Sequence, residues 1–386
     1  MLCSRFFPSL YFYDFNFKFR VPSWVDGVER FLRNHDLIWK QVLGVGLALP
    51  GPYKSNRERR MQAHTQQIKC SEDAKDDDDI SCNRLISDYM TLGRPVNLPE
   101  TFKDWNVHCE YSLALDKAAG RCLFLAVGND GSVAGVGEAQ RFLSSCFSHP
   151  SQSTSTSNRG NNFYDEKRMK TTILFLAPGT GLGASYVDSK GLHLEGDTMN
   201  GMEVGHMPAP LHLLGNIKPF RCGCGRDWGC IEAYTSMSGL PQLLAEFLPQ
   251  YPDHPFNKDS GAGGDLSSVK EKCYALRSLA ADGDQLAIAI FDFQAKVLGL
   301  QAASLVTALD SEYVIVGGGL MDPENTSKEF RDRYIRIVKE TMLPYIWPEQ
   351  GEKIKVECAK LGELSQSIGA AYMAMHMMEE ARRMNS

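Results

Sequence analysis

At 386 residues, 43% of them hydrophobic and 23% charged, the chain is long enough for one large globular domain or two ordinary ones, each with its own buried core. Its formal net charge of -6 speaks against a nucleic-acid partner, which asks for a basic face. Eleven cysteines, three clustered beside a histidine and the rest scattered, read as metal ligands plus reduced thiols rather than a disulfide framework. The expected compartment is therefore reducing and the expected location cytoplasmic. No uninterrupted apolar run approaches a membrane span, and the aromatic N-terminus is broken by Pro8, Asp14 and Lys18, so no membrane partner is expected.

From Tyr11 to Arg20 aromatic and polar residues alternate, the period of a strand with one buried face, expected at a sheet edge. Trp24 to Asn34 carries Trp24, Val28, Phe31 and Leu32 at helical spacing, with Ser23 as N-cap. Val42 to Leu49 is a short apolar strand stopped by Pro50-Gly51-Pro52, which leaves Gly51 with an exposed backbone at a strand end. Residues 53–94 then turn charged, with an acidic run from Asp76 to Asp79 that cannot pack into a core, and read as a solvated insertion. Order returns at Asn97-Leu98-Pro99. A helix near Tyr111 to Ala119 is closed by Gly120, and the strand Cys122 to Val127 feeds Asn129-Asp130-Gly131 and an apolar helix. Asp130 thus sits at a strand's carboxyl end, where open α/β sheets place their chemistry, and its plain alternative is a helix N-cap.

Residues 144–169 are rich in Ser, Thr and Asn and read as a second insertion without chemistry. Thr172 to Leu176 is a buried strand running into Ala177-Pro178-Gly179-Thr180-Gly181-Leu182-Gly183, after which Ala184 to Asp188 completes a hairpin. Glycines at 179, 181 and 183 let backbone N–H groups face an anion, as a phosphate-cradling turn requires, although no Lys and no helix follow as in a Walker loop. Helices are expected from Ser268 to Ala281 and Gln285 to Leu309. The strand Tyr313 to Val316 ends in a second close-approach turn, Gly317-Gly318-Gly319. The C-terminal helix, from Leu364 on, carries Gly369, Ala370 and Ala371, small enough for another backbone to pack against it.

The densest chemistry lies between Glu203 and Glu232. Glu203-Val-Gly-His206 is followed by Cys222-Gly-Cys224-Gly-Arg-Asp-Trp-Gly-Cys230 and Glu232. Three thiols and an imidazole supply the four ligands of a closed tetrahedral zinc site, which would hold Glu203, His206 and Glu232 as a rigid polar cluster. The plain alternative is three reduced cysteines in a glycine-rich turn.

Glu203-x-x-His206 with the Cys222, Cys224, Cys230, Glu232 block, joined by the glycine turns at 179–183 and 317–319, resembles the ROK sugar-kinase family and its glucokinase branch, within the actin-like ATPase and hexokinase superfamily. The resemblance runs from about Val42 to the C-terminus, with gaps at the insertions. It implies a two-lobed, ribonuclease H-like α/β fold with mixed sheets flanked by helices and a structural zinc loop. The small lobe would take residues 1–130 and 366–386, the large lobe 131–365. It implies ATP-dependent phosphorylation of the 6-hydroxyl of glucose, with Asp130 as general base. Gly51, Asn129, Glu203, His206 and Glu232 would contact the sugar, and His206 would use its second nitrogen on zinc with Cys222, Cys224 and Cys230. Gly179, Thr180, Gly181 and Gly183 would hold phosphates, Gly317, Gly318 and Gly319 would pass under the adenosine, and Mg2+ would bridge the phosphate oxygens. Fructose and N-acetylmannosamine kinases are neighbouring readings, and homodimers are common in the family. Two features depart from the family pattern. Arg226-Asp227-Trp228 adds one residue between the cysteine pairs, and the family's opening acidic-x-Gly-Gly-Thr phosphate turn has no counterpart before Val42 or elsewhere. The second departure carries an alternative expectation, a non-catalytic sugar-binding protein or an incomplete N-terminus.

Overall fold

The computed structural model describes residues 21–49, 53–55, 90–92, 107–147, 171–198, 200–215, 217–258 and 266–385. The expected strand at Tyr11 to Arg20, Gly51, the body of the acidic insertion, Asn97 to Pro99 and the Ser/Asn-rich segment beyond Phe147 lie outside them. The chain divides into two compact units, one drawn from Met1–His149, Gly191–Met202 and Glu363–Ser386, the other from Pro150–Lys190 and Glu203–Gly362.

In the first unit, helix α1 spans Val21–Asn34 and strand β1 Gly44–Leu49. Val21 and Pro22 are already helical, so Ser23 lies within the described helix rather than capping it. The expected insertion has structured ends: β2 (Tyr53–Ser55) and β3 (Met90–Leu92) pair antiparallel, Tyr53 opposite Leu92. Helix α2 (Val107–Ala119) is closed by Gly120 at φ 66°, a left-handed position that suits glycine. Strand β4 (Phe124–Asn129) lies parallel to β1 with Leu49 opposite Asn129, and α3 (Asp130–Phe147) follows directly.

β4 is apolar at nearly every position because both its faces are covered. Leu123, Leu125 and Val127 join Val21, Leu47, Leu49, Tyr111 and Leu115 in one core. Phe124 and Ala126 join Val133, Ala370, Met373 and Ala374 in another. Since α3 packs in this unit, the unit boundary falls after His149 rather than after Asp130, and Ser144 to Phe147 are its last helical turn rather than the start of an insertion.

In the second unit, β5 (Ile173–Pro178) and β6 (Leu182–Val187) form the expected hairpin, and pairing carries the strands deeper into the glycine turn than the apolar run alone indicates: Gly183 pairs with Ala177. Short helices α4 (Glu232–Thr235) and α5 (Leu240–Phe247) lead to α6 (Leu266–Ala281) and α7 (Gln285–Leu309). Strand β7 (Tyr313–Val316), helix α8 (Lys328–Met342) and strand β8 (Lys355–Cys358) complete a mixed sheet of order β6-β5-β7-β8, in which β5, β7 and β8 run parallel. Helix α7 is long and apolar enough to cross a membrane by length and composition, yet most of it is buried. It is the unit's core helix. The Asp284 side chain caps its start by accepting from Ala287 N, and Asp310 ends it at φ 51°.

The chain then returns to the first unit as α9 (Leu364–Asn385). Its small residues do what their size allows. A Cβ on Gly369 would stand 1.7 Å from the Val133 carbonyl oxygen, and one on Gly46 of β1 1.9 Å from that of Ala370. The helix therefore meets both α3 and β1 at backbone distance.

Candidate functional site

The cysteine and histidine ligands converge. Among the described residues, His206, Cys222, Cys224 and Cys230 bring one ligand atom each to within 4.8 Å of one another. Cys224 and Cys230 Sγ are 3.9 Å apart, and Cys222 Sγ is 3.7 Å from His206 Nδ1. Tetrahedral zinc with Zn–S bonds of about 2.3 Å would separate its sulfurs by roughly 3.8 Å. The donor set fits that ion. Burial, the largest cause, pushes the Cys222 and Cys230 thiols up, with hydrogen bonds in the cluster partly opposing. A cation bound at their centre would favour the thiolates.

Local chemistry folds this loop. His206 ends a 3-10 turn, Val204–His206, in which its N–H donates to the Glu203 carbonyl. Gly225 and Gly229 sit at φ 89° and 83°, and Cys222 N–H donates to the Arg226 carbonyl. Half-exposed Trp228 lies under the Arg226 guanidinium at 4.8 Å and its side chain hydrogen-bonds Cys230. From inside, buried Tyr234 stacks on Phe220 at 4.6 Å, accepts from Phe220 N–H and donates to the Lys218 carbonyl. Sequence reading passed over Tyr234, an unremarked aromatic in a short helix.

Glu232 opens α4 and joins this cluster to the first glycine turn. Its Oε2 accepts the Leu182 N–H at 3.0 Å, and its Oε1 lies 3.6 Å from Cys222 Sγ. A Cβ on Gly181 would come within 2.5 Å of that same Oε2, so only glycine lets the carboxylate approach. Met237 and Ser238 N–H groups donate to the Gly179 and Thr180 carbonyls. The turn is thus strapped to the segment that carries the cysteines, with Thr180 exposed at its tip.

The second turn lies beside the first. Gly318, at φ 76°, presses its backbone so close to the Pro178 carbonyl that a Cβ would stand 2.4 Å from its oxygen. Gly317 likewise leaves room for the Phe175 ring. Both turns therefore occupy the carboxyl ends of neighbouring parallel strands, β5 and β7, the edge at which α/β sheets bind ligands.

Asn129 and Asp130 belong to the first unit. Asn129 Oδ1 caps α3, accepting from Gly131 and Ser132 N–H at 2.9 and 3.2 Å. Asp130 is the first helical residue rather than the cap, and its carboxyl accepts from Gly131 N–H at 2.8 Å. Burial pushes the Asp130 carboxyl above the ordinary aspartate range, against that hydrogen bond. Gly51 lies outside the described residues.

Two glycine turns at the carboxyl edge of a mixed sheet, one tied by a carboxylate to a cysteine-histidine cluster, define an α/β protein built to bind a ligand at that edge. Residues 155–377, more than half of the chain, match the ROK family, and the chain belongs to it. It is 26% identical over 203 residues to a glucokinase of Halalkalibacterium halodurans, across 52% of this chain and 55% of that protein. It is 28% identical over 212 residues to an N-acetyl-D-glucosamine kinase of Photobacterium profundum, across 52% and 58%. The chain thus spans little more than half the length of the curated relatives it matches. The fold is like that of a ROK family glucokinase from Streptomyces griseus, solved in complex with glucose and AMPPNP: TM-score 0.58, 19% identity, 93% of this chain and 88% of that one.

Proposed function

We propose that the protein is an ATP-dependent sugar kinase that phosphorylates the 6-hydroxyl of glucose, with Asp130 as general base. The observation that carries this reading is the Glu232 carboxylate, which touches both the cysteine cluster and the Gly179–Gly183 turn. A carboxylate that binds sugar hydroxyls there stands beside a turn that binds phosphates, as group transfer between the two requires.

In this reading Glu203 and Glu232 accept hydrogen bonds from the sugar hydroxyls while His206, with Nδ1 on zinc, donates one from Nε2–H, and the placing of acceptors and donor selects their stereochemistry. The Gly179–Gly183 turn offers backbone N–H groups to the phosphates, and Gly317–Gly319 passes under the adenosine. His206 Nδ1, Cys222, Cys224 and Cys230 would hold zinc, which would fix the loop that carries these groups and take no part in the chemistry. Mg2+ bound with ATP would supply charge compensation for the phosphate oxygens. Asp130 accepts the proton of the attacking hydroxyl as the γ-phosphoryl group transfers in line. Its raised pKa strengthens it as a base and moves the acid limb of the rate profile above the ordinary aspartate range. The named relatives act on glucose or N-acetyl-D-glucosamine, and both sugars share the 6-hydroxyl. Seven reduced thiols among the described residues support a cytoplasmic site of action.

A coupled ADP-release assay with glucose, N-acetylglucosamine, N-acetylmannosamine and fructose tests the reading. Asp130→Ala should lower kcat by roughly 100- to 10,000-fold while calorimetric glucose binding stays within a few-fold of native. Near-native turnover of the variant would remove Asp130 from the mechanism. Glucose binding by the native chain without any turnover would replace the kinase with a non-catalytic sugar-binding protein.

A further inference from the structure

Helix α6 buries Cys273 and Leu276 and sets the half-buried Arg277 beside them. The Arg277 Nε is enclosed without a hydrogen-bond partner, and none of the ion pairs among the described residues includes this side chain. Burial pulls the guanidinium below the usual arginine range, with the nearby Tyr274 phenol opposing. A guanidinium with an enclosed, unpartnered nitrogen and no counter-charge among the described residues is costly, and an anion at its open terminal nitrogens would offset that cost.

Its place in the fold names the anion. Arg277 Nη2 and Nη1 lie 3.7 and 4.0 Å from the point where a side chain on Gly319 would begin, and no other atom comes within 4 Å of that point beyond the adjoining backbone. The terminal nitrogens therefore point at the second glycine turn, across a space its missing side chain leaves open. That turn abuts Pro178, from which the Gly179–Gly183 turn departs. Guanidinium, second turn and first turn form one row along the carboxyl ends of β5 and β7.

We propose that Arg277 binds the phosphate oxygens of the nucleotide where they leave the adenosine over Gly317–Gly319 and run toward the adjoining Gly179–Gly183 turn. The inference rests on the nucleotide reading of the two glycine turns. A guanidinium offers a planar fork of donors that matches phosphate oxygens in pairs, whereas a lysine at the same place offers a point charge on a flexible stem.

The test is calorimetric titration of the zinc-loaded, full-length protein with Mg-ADP and with adenosine, for the native chain, Arg277→Gln and Arg277→Lys. Melting temperature and zinc content serve as checks on folding. Arg277→Gln should weaken Mg-ADP binding roughly 10- to 100-fold, Arg277→Lys by less, and adenosine binding should change under about 3-fold in both. In turnover, KM for ATP should rise and KM for the sugar should not. Equal Mg-ADP affinity in native and Arg277→Gln overturns the assignment. So does an equal loss for adenosine and Mg-ADP, which would put the guanidinium on the base instead. If the native chain binds sugar but no Mg-ADP, the nucleotide reading of the turns falls, and this proposal with it.

Discussion

Replacing Glu232 by alanine removes a side chain that ties the cysteine loop to the first glycine turn. In the native structure Oε2 accepts the Leu182 N–H at 3.0 Å, and Leu182 itself is buried. A hydrogen bond from a buried N–H to a charged acceptor contributes about 1.5–3 kcal/mol, and the orphaned donor adds its own desolvation cost. Glu232→Ala should therefore destabilise the second unit by roughly 2–4 kcal/mol, which at about 2–4 °C per kcal/mol for a unit of this size lowers its melting temperature by roughly 4–16 °C. Glu232→Gln keeps an oxygen able to accept from Leu182 and loses only the charge, so its deficit should be about half as large. Calorimetry at neutral pH measures both. Hydrogen exchange localises the cause: protection of the Leu182 amide should collapse in the alanine variant and survive in the glutamine one. Zinc stoichiometry should hold in each, because Glu232 is not one of the four converging ligands. Unchanged Leu182 protection in Glu232→Ala, or a glutamine variant weaker than the alanine one, would refute the account of Glu232 as a strap.

Two further perturbations probe the first unit. Gly369→Ala would place a Cβ 1.7 Å from the Val133 carbonyl oxygen, and a backbone obstacle cannot swing away as a side chain can, so the loss should reach or exceed the upper end of the 1–3 kcal/mol (order of magnitude) typical of overpacking. Gly120→Ala, at φ 66° with open space around it, should cost only about 1 kcal/mol, and a urea titration that ranks the two the other way would contradict the packing of α9 on α3. Asp116, whose carboxyl accepts the Leu123 N–H, is pushed up from 3.8 to about 6, chiefly by burial, with that hydrogen bond and the Arg121 charge opposing. Because its folded pKa exceeds its unfolded one, its stabilisation is fully present below pH 3.8 and is lost as pH rises through about 6. Asp116→Asn should thus gain on the native chain between pH 4 and 7.5 by up to about 3 kcal/mol, and a pH-independent difference in unfolding free energy would show that Asp116 titrates normally.

What the sequence made legible follows the range of the forces involved. Helix α7 and strand β7 begin and end where their apolar periods do, because their stop signals are local: an aspartate cap at Asp284, a left-handed Asp310, a glycine turn after Val316. Ser23 lies inside helix α1 rather than at its cap, since a serine ahead of an apolar period marks a cap by local preference only. Pairing across the sheet, which no single strand announces, lengthened β5 to Pro178 and zipped the ends of the acidic insertion. Asn129 and Asp130 were singled out together, and only the structure separates the cap from the first helical residue. The four metal-type ligands were legible from spacing, since thiols this dense on glycine-rich chain have few other uses. Arg277 carried no signal at all, for an arginine on an amphipathic helix ordinarily lies in solvent.

The straps on the first glycine turn explain why a site that does no chemistry is built beside one that would. Among the described residues three hydrogen bonds hold that turn from outside its own hairpin, and all three partners, Glu232, Met237 and Ser238, follow within eight residues of Cys230. Glycine turns are soft by composition, so their N–H groups present a fixed anion cradle only if something else removes that freedom. A metal on Cys230 and its three companions would stiffen the root of the segment, and the straps would carry that stiffness to Gly179–Gly183. Arg226, Asp227 and Trp228 are exposed and none of these straps reaches them, yet the Trp228 side chain hydrogen-bonds Cys230. Loss of any of the four ligand residues should therefore weaken Leu182 protection in hydrogen exchange, and Trp228→Ala should weaken it by less.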